Sequence, residues 1–193
     1  MFSEIKIYAQ LGFEHILDFN GYDHLLFLLA MCAMYTLKDW RKVLILVTAF
    51  TVGHSLTLAL VVNDVLTVSG EWVEFLIPLT IALTAIYDLL GWGQKYSHRF
   101  KYTLAILFGL IHGMGFSNYL KALLGDEGIL LPLLSFNIGL EIGQVLFVVI
   151  LLLLAYFVVE VLGLKKKYWS LALSVLALIV SIYLMSQRIG GIL

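Results

Sequence analysis

Six long apolar segments, separated by short polar connections, dominate the pattern of the chain. They cover residues 21–37, 42–62, 72–92, 101–121, 130–162 and 168–188. A helix rises about 1.5 Å per residue, so about 20 apolar residues cross the roughly 30 Å hydrocarbon core of a bilayer. The pattern therefore predicts about six transmembrane helices. Residues 1–19 mix apolar and polar positions instead, which is typical of an interfacial helix lying along the membrane.

The composition agrees with this prediction. Hydrophobic residues make up 62% and charged residues 13% of the 193 positions, and the mean hydropathy is +1.00. An excess of this size excludes an ordinary soluble domain and is typical of a multispanning membrane protein. The connections are short, so we expect an all-α integral membrane protein with a single transmembrane domain over residues 1–193. The net charge of -1 gives no indication of nucleic-acid binding.

Basic residues are concentrated after every second segment. Nine of the twelve follow the first, third and fifth segments, namely Lys38, Arg41, Lys42, Lys95, Arg99, Lys101, Lys165, Lys166 and Lys167. The opposite face carries Lys6, Lys121 and Arg188 together with Glu4, Asp64, Glu71, Asp126 and Glu127. Cytoplasmic loops are enriched in Lys and Arg. We therefore expect the nine in the cytoplasm and both termini outside, most simply in a bacterial inner membrane.

Ionisable side chains interrupt several of the predicted spans at a similar depth. His54, His112 and Glu141 stand about 12–17 Å from the outer ends of their helices at 1.5 Å per residue. His24 reaches the same level if the first span begins near His15. Titratable groups at this depth are costly unless they are paired, hydrated or coordinating, so they are candidates for function. Glycines next to these residues indicate that the helices approach closely there.

The residue types at this level indicate a metal site. Three imidazoles with one or two carboxylates suit a borderline divalent metal such as nickel, zinc or cobalt. We expect His24, His54, His112 and Glu141 to be the ligands, with Asp23 as a fifth ligand or as the carboxylate at the entry. The alternative for Asp23 is a helix cap, because Asp is favoured at helix starts.

Other polar residues have expected roles around this site. Asn137 and Gln144 share a helix face with Glu141, and Ser55 follows the predicted ligand of the second span. We expect Asn137, Gln144 and Ser55 to hold the imidazoles in one tautomer by hydrogen bonding. His15 and Asp18 are expected to pass cations down from the outer face, or alternatively to be interfacial polar residues.

Four stretches together resemble a known family. In chain order they are "GFEHILDFNGYDHLLFLLA", "FTVGHSLTLAL", "FGLIHGMGF" and "FNIGLEIGQ". They resemble the HupE/UreJ-type membrane proteins, particularly a branch with a "GxDHLLFLL" signature. The resemblance implies a hydrogenase or urease accessory protein that acts as a nickel permease, with hydrogenase or urease maturation proteins as its partners.

The leading hypothesis is a carrier that binds a divalent metal inside the bilayer and moves it inward. The chain contains no G-x-x-x-x-G-K-[ST] motif, so transport would use a gradient or the membrane potential. The alternative is an intramembrane zinc-dependent hydrolase acting on a lipid or peptide, with Glu141 as general base. A third interpretation is a metal sensor or an assembly partner of another membrane complex.

Overall fold

The computed structural model describes residues 2–18, 21–92, 98–124 and 129–192. Over these residues the chain forms seven α-helices and no strand, which confirms the all-α prediction for the described part. The helices are α1 Phe2–Leu17, α2 Asp23–Cys32, α3 Trp40–Val62, α4 Gly70–Leu89, α5 His98–Leu124, α6 Leu130–Tyr156 and α7 Lys166–Arg188. A 3-10 turn, Leu37–Asp39, precedes α3; a π turn, Phe157–Val161, extends α6; and a 3-10 turn, Ile189–Gly191, extends α7.

Five of these segments are long and apolar enough to cross a membrane. They are Leu37–Val62, Gly70–Leu89, Arg99–Leu124, Leu130–Val161 and Lys166–Gly191. They correspond to the second to sixth predicted spans. By the length and composition of these helices, the chain is an integral membrane protein.

The first predicted span, residues 21–37, differs from the expectation of a full-length helix. Only the ten residues of α2 are α-helical, a length of about 15 Å, which is half of what a bilayer requires. The apolar pattern continues beyond α2, but Ala33, Tyr35 and Thr36 are buried within the protein and not helical. Irregular backbone at membrane depth is tolerated where protein surrounds it, and hydropathy alone does not report such a break.

The N-terminal segment is helical, but its expected position along the membrane surface is not confirmed. Helix α1 packs closely along α6. A Cβ atom on Gly12 would lie 2.0 Å from the carbonyl oxygen of Phe136, and one on Gly139 would lie 1.8 Å from that of Ala9. Gly139 is about 14 Å from the start of α6 at 1.5 Å per residue. Helix α1 therefore packs against the middle part of a membrane-spanning helix.

The helices are arranged as three packed pairs around α2. Helix α3 packs on α5, α1 packs on α6, and α4 packs on α7. Helix α2 contacts α4, α6 and α7. Phe27, Phe50 and Phe136 are buried in the core between these helices. The short helix that begins with Asp23 and His24 is thus enclosed by longer ones.

Ion pairs define the two ends of the bundle. At one end, here named the Asp39 end, Lys42 and Lys166 contact Asp39 at 2.9 and 3.6 Å, and Lys38 contacts Glu160 at 3.1 Å. These basic residues are among the nine predicted to share one face.

The opposite end, here named the Asp64 end, carries the ion pair of Lys121 with Asp64 and the C-terminal end of α7. Lys95, Asp126 and Glu127, which the sequence analysis assigned to one face or the other, lie outside the described residues.

Candidate metal site

Close packing of α3 on α5 brings together the helix segments that carry His54 and His112. A Cβ atom on Gly53 would lie 2.1 Å from the carbonyl oxygen of Ile106, and one on Gly109 would lie 2.2 Å from that of Phe50. These contacts confirm the predicted close approach at these glycines. His54 on α3 and His112 on α5 are both 0% exposed.

Helices α1 and α2 bring two more histidines to the same place. His15 lies in the last turn of α1 and His24 in the first turn of α2. Their ring centroids are 4.6 Å apart. The docking of α1 against α6 therefore puts His15 beside His24, in the interior of the protein.

Three of these histidines form a group that could hold a metal ion. One ring nitrogen each from His15, His24 and His54 lies within 4.8 Å of the others. Ligand nitrogens around a tetrahedral ion, at about 2.0–2.1 Å from the metal, are roughly 3.3 Å apart. Side-chain movements of about 1 Å would therefore close the group on an ion. His112 stands next to it, with its ring centroid 5.3 Å from that of His24.

The hydrogen bonds of two rings leave their Nε2 atoms as acceptors. His24 Nδ1 lies 3.1 Å from a carboxylate oxygen of Asp23, and His112 Nδ1 lies 2.9 Å from the carbonyl oxygen of Phe108. These oxygens only accept, so in the neutral rings Nδ1 carries the hydrogen and Nε2 carries the lone pair. Such a partner on the far nitrogen is the usual arrangement of a metal-binding histidine.

Five ring nitrogens of these histidines are buried and have no hydrogen-bond partner among the described residues. This set contains Nε2 of His15, His24, His54 and His112, and also Nδ1 of His54. Buried polar groups in proteins are nearly always satisfied, and an unsatisfied one costs about 1–3 kcal/mol. Several unpartnered ring nitrogens on neighbouring histidines are the expected signature of ligands. We name these four residues the histidine cluster.

A cavity of about 980 Å³, here named the histidine cavity, adjoins this cluster. Its lining includes three of the histidines and four carboxylates, namely His15, His24, His112, Glu14, Asp18, Asp23 and Glu74. Arg188 also lines it, donating to the backbone oxygen of Glu74 at 2.9 Å and lying 3.3 Å from Asp23. The excess of carboxylates makes the cavity attractive to cations.

Glu141 does not join the histidine cluster, contrary to its predicted roles as ligand or general base. Its carboxylate accepts a hydrogen bond of 2.6 Å from the Thr48 hydroxyl. Thr48 precedes His54 by about 9 Å along α3 at 1.5 Å per residue. Neighbouring helices are offset along their axes, so residues at equal distances from their helix ends need not lie at the same level.

The polar residues expected to orient the imidazoles bond elsewhere. Gln144 accepts a hydrogen bond of 2.7 Å from Thr51, and Ser55 donates to the carbonyl oxygen of Thr51 at 2.7 Å. Asn137 donates to the carbonyl oxygen of Leu133 at 2.8 Å. The hydrogen bonds described for these three residues go to protein groups other than histidine. The orienting partners are instead Asp23, for His24, and the backbone at Phe108, for His112.

His15 is the functional candidate to which sequence reasoning gave a different role. The sequence predicts that it passes cations down from the outer face together with Asp18. The structure places its ring beside that of His24, nine residues later in the sequence. Asp18 lines the histidine cavity, on the approach to the histidine cluster.

Comparison with known proteins identifies the family of the chain. The family described as "HupE / UreJ protein" matches residues 1–187. No curated protein and no solved structure matches the chain. The family match includes all four stretches named in the sequence analysis. They supply the four histidines and the polar residues of α6, namely Asn137, Glu141 and Gln144. The chain therefore belongs to the HupE/UreJ family.

Proposed function

We propose that this protein binds a divalent transition-metal ion, nickel before zinc or cobalt, at the histidine cluster and carries it across the membrane. The observation that supports it best is the group formed by His15, His24 and His54, whose Nε2 atoms are buried without described partners beside an acidic cavity. Imidazole is a preferred ligand of nickel and zinc. The family is associated with nickel transport and with hydrogenase or urease maturation. We therefore propose that such maturation proteins receive the metal.

The proposed ligands are His15, His24 and His54, with His112 available as a fourth. In this arrangement Asp23 fixes the ring of His24 and contributes negative charge close to the ion. A ligand set of neutral imidazoles holds a divalent ion less tightly than one that includes thiolates. A carrier needs such moderate affinity, because the ion has to leave again.

The histidine cavity would be the route by which the ion reaches this site. Four carboxylates attract a divalent cation and raise its local concentration, and Arg188 offsets only part of their charge. The exposed Glu14 and Asp18 lie on the approach, and Asp23 lies next to His24. The relay role proposed for Asp18 thus has a structural basis, whereas His15 becomes a ligand.

No comparable support exists for the hydrolase alternative. That mechanism needs a base next to a metal-bound water, and Glu141 was the residue assigned to it. The Glu141 carboxylate is instead bonded to Thr48. The carboxylate nearest the histidine cluster, Asp23, is engaged with His24 and Arg188.

We further propose that the Asp39 end faces the cytoplasm and the histidine cavity opens to the outside. The support is the concentration of Lys and Arg near the Asp39 end. In a variant without the buried Cys32, a cysteine at Lys167 should react only from the cytoplasmic side and one at Val65 only from outside. Impermeant thiol labelling of intact cells measures both. The reverse labelling pattern would contradict the orientation.

Nickel binding and nickel uptake test the function on the same preparation. Purified protein in detergent should bind about one nickel ion per chain, as expected for a single imidazole site. Proteoliposomes should accumulate radiolabelled nickel faster than protein-free liposomes. Binding without any uptake would contradict the carrier and leave a metal-binding protein, and no binding would contradict the site itself.

A further inference from the structure

A second cavity, of about 360 Å³, lies between α2, α4 and α5. Its size falls within the range of small-molecule sites, about 300–1,000 Å³. Most of the described residues that line it are apolar, but Asp88 and Lys101 line it too, and we name it the lysine cavity. None of the proposed metal ligands lines it, so it needs an explanation of its own.

The lysine cavity reaches the outer surface of the bundle. Leu83 and Ile86 on α4 and Phe100 on α5 line it and are also exposed on the outside of the protein. Both helices are long and apolar enough to cross a membrane, so acyl chains surround them there. A molecule that enters the cavity by this side therefore comes from the bilayer.

The charged residues lie at one end of the cavity and aromatic rings at the other. Asp88 is in the last turn of α4 and Lys101 in the first turn of α5. Both turns lie toward the Asp39 end, and the charge of Asp39 acts on Lys101. Phe108 lines the cavity seven residues further along α5, about 10 Å deeper at 1.5 Å per residue. This arrangement matches a lipid, with its headgroup near the membrane surface and an acyl chain below it.

Lys101 has no anionic partner in the described part of the chain. It is only 8% exposed. Its ammonium lies 3.1 Å from the sulfur of Met34 and 3.4 Å from the hydroxyl of Tyr35. An ammonium has three donors, and a thioether is a weak acceptor. The lysine therefore retains the capacity to donate to an anion in the cavity.

Asp88 is incompletely satisfied as well. Its Oδ2 atom is buried and has no hydrogen-bond partner within the described ranges. No ion pair within 4.0 Å joins Asp88 to Lys101 in those ranges, although both line the same cavity. Charged groups in a membrane protein are costly unless they are paired or hydrated. The cavity thus presents one cation and one anion, separated from each other and each open to a partner of opposite charge.

We propose that the lysine cavity binds one molecule of phosphatidylethanolamine from the adjoining leaflet. The lipid phosphate accepts hydrogen bonds from Lys101, the lipid ammonium donates to Asp88, and an acyl chain fills the end near Phe108. Charge-assisted hydrogen bonds of this kind are the strong ones, and basic pockets between transmembrane helices recognise lipid headgroups. The site is separate from the histidine cluster and does not depend on the proposed transport of a metal.

The headgroup chemistry separates this lipid from its common relatives. Phosphatidylcholine has the same two charges, but its quaternary ammonium has no N–H to donate to Asp88. Phosphatidylglycerol has the phosphate but no cation, so it leaves Asp88 without a partner. Both are therefore matched probes when they carry the same acyl chains as the phosphatidylethanolamine.

Native mass spectrometry of metal-free protein, titrated in detergent with each of these three lipids, tests the site. Wild type should bind one phosphatidylethanolamine per chain with a dissociation constant at least about tenfold lower than for the other two lipids. Asp88→Asn should bind phosphatidylethanolamine and phosphatidylcholine within about threefold of each other, because the charge that selects the ammonium is gone. Lys101→Met should weaken phosphatidylethanolamine binding about tenfold.

Thr84→Val is the matched control. Thr84 lines the cavity one turn from Asp88, and its hydroxyl bonds within its own helix to the carbonyl oxygen of Thr80 at 2.8 Å. The change keeps size and charge, so the variant should keep the wild-type lipid preference. An equal loss of preference in Thr84→Val and Asp88→Asn would overturn the role of the carboxylate.

Two further results would overturn the proposal. One is equal affinity of wild type for the three lipids, or tighter binding of phosphatidylglycerol. The other is an undiminished preference for phosphatidylethanolamine in Asp88→Asn. Lys101→Gln replaces Lys101→Met if the latter does not fold, and it should show the same tenfold loss. Because no metal is present, failure of nickel binding at the histidine cluster leaves each of these results unaffected.

Discussion

Two groups of polar side chains lie within the bundle, and they differ in how their atoms are satisfied. In the histidine cluster, four Nε2 atoms are buried with no hydrogen-bond partner among the described residues. In the row on α6, Glu141 accepts a hydrogen bond from Thr48 and Gln144 accepts one from Thr51. Both groups look alike in sequence as polar residues in apolar helices. The first brings one ring nitrogen each of His15, His24 and His54 within 4.8 Å of one another, and no such group is found on α6 among the described residues, so the first is the better suited to bind a metal.

The contrast shows how to tell binding groups from packing groups in a membrane protein. A threonine hydroxyl that bonds a carboxylate across two helices stabilises their contact, because no water is available to replace it. Unsatisfied imidazoles do the opposite and lower stability until a ligand arrives. The following predictions test this distinction, beginning with the largest expected effect.

Removing an imidazole from the cluster should have the largest effect. His24→Ala and His54→Ala should each weaken nickel binding at least about 100-fold, or roughly 2.7 kcal/mol, because each removes a proposed ligand. Isothermal titration of detergent-solubilised protein gives the dissociation constants. Leu58→Ala is the matched control, since Leu58 is also 0% exposed and lies one turn from His54. Equal losses in Leu58→Ala and His54→Ala would indicate disruption of packing instead of loss of a ligand.

Changing the group that orients His24 should have an intermediate effect. Asp23→Asn keeps the side-chain size but removes the charge that holds Nδ1 of His24. Changes of this kind typically cost about 10–100-fold in metal affinity, and we expect the lower end, about tenfold. Asp64→Asn, which neutralises an exposed carboxylate paired with Lys121, should leave affinity unchanged. If Asp23→Asn binds nickel as wild type does, Asp23 does not contribute to the site.

Changing the α6 row should have the smallest effect on the metal. Glu141→Gln should alter nickel affinity by less than about threefold, because its carboxylate bonds Thr48 away from the cluster. The same titration measures it, and thermal unfolding reports the expected loss of helix contact. A drop comparable to that of His54→Ala would restore Glu141 as a ligand and abolish the contrast between the two groups.

The sequence was sufficient to predict the long helices but not the composition of the site. Hydropathy located the second to sixth spans because length and apolarity are properties of a single segment. The residue types in the spans also predicted that histidines would be metal ligands. The sequence placed Glu141 in the site and gave His15 a relay role. Depth along a helix does not determine which helix faces meet, so it could not separate the two residues. That depends on the docking of α1 against α6, which rests on contacts such as Gly139 with Ala9.

The shortness of α2 has an electrostatic consequence. A helix carries roughly half a positive charge at its N-terminus and half a negative charge at its C-terminus. Helix α2 begins at Asp23, next to the histidine cluster, and ends at the buried Cys32. Both partial charges therefore act inside the protein, as in the broken helices of transporters. The carboxylate of Asp23 offsets the positive end, whose field would otherwise disfavour a cation at the histidine cluster.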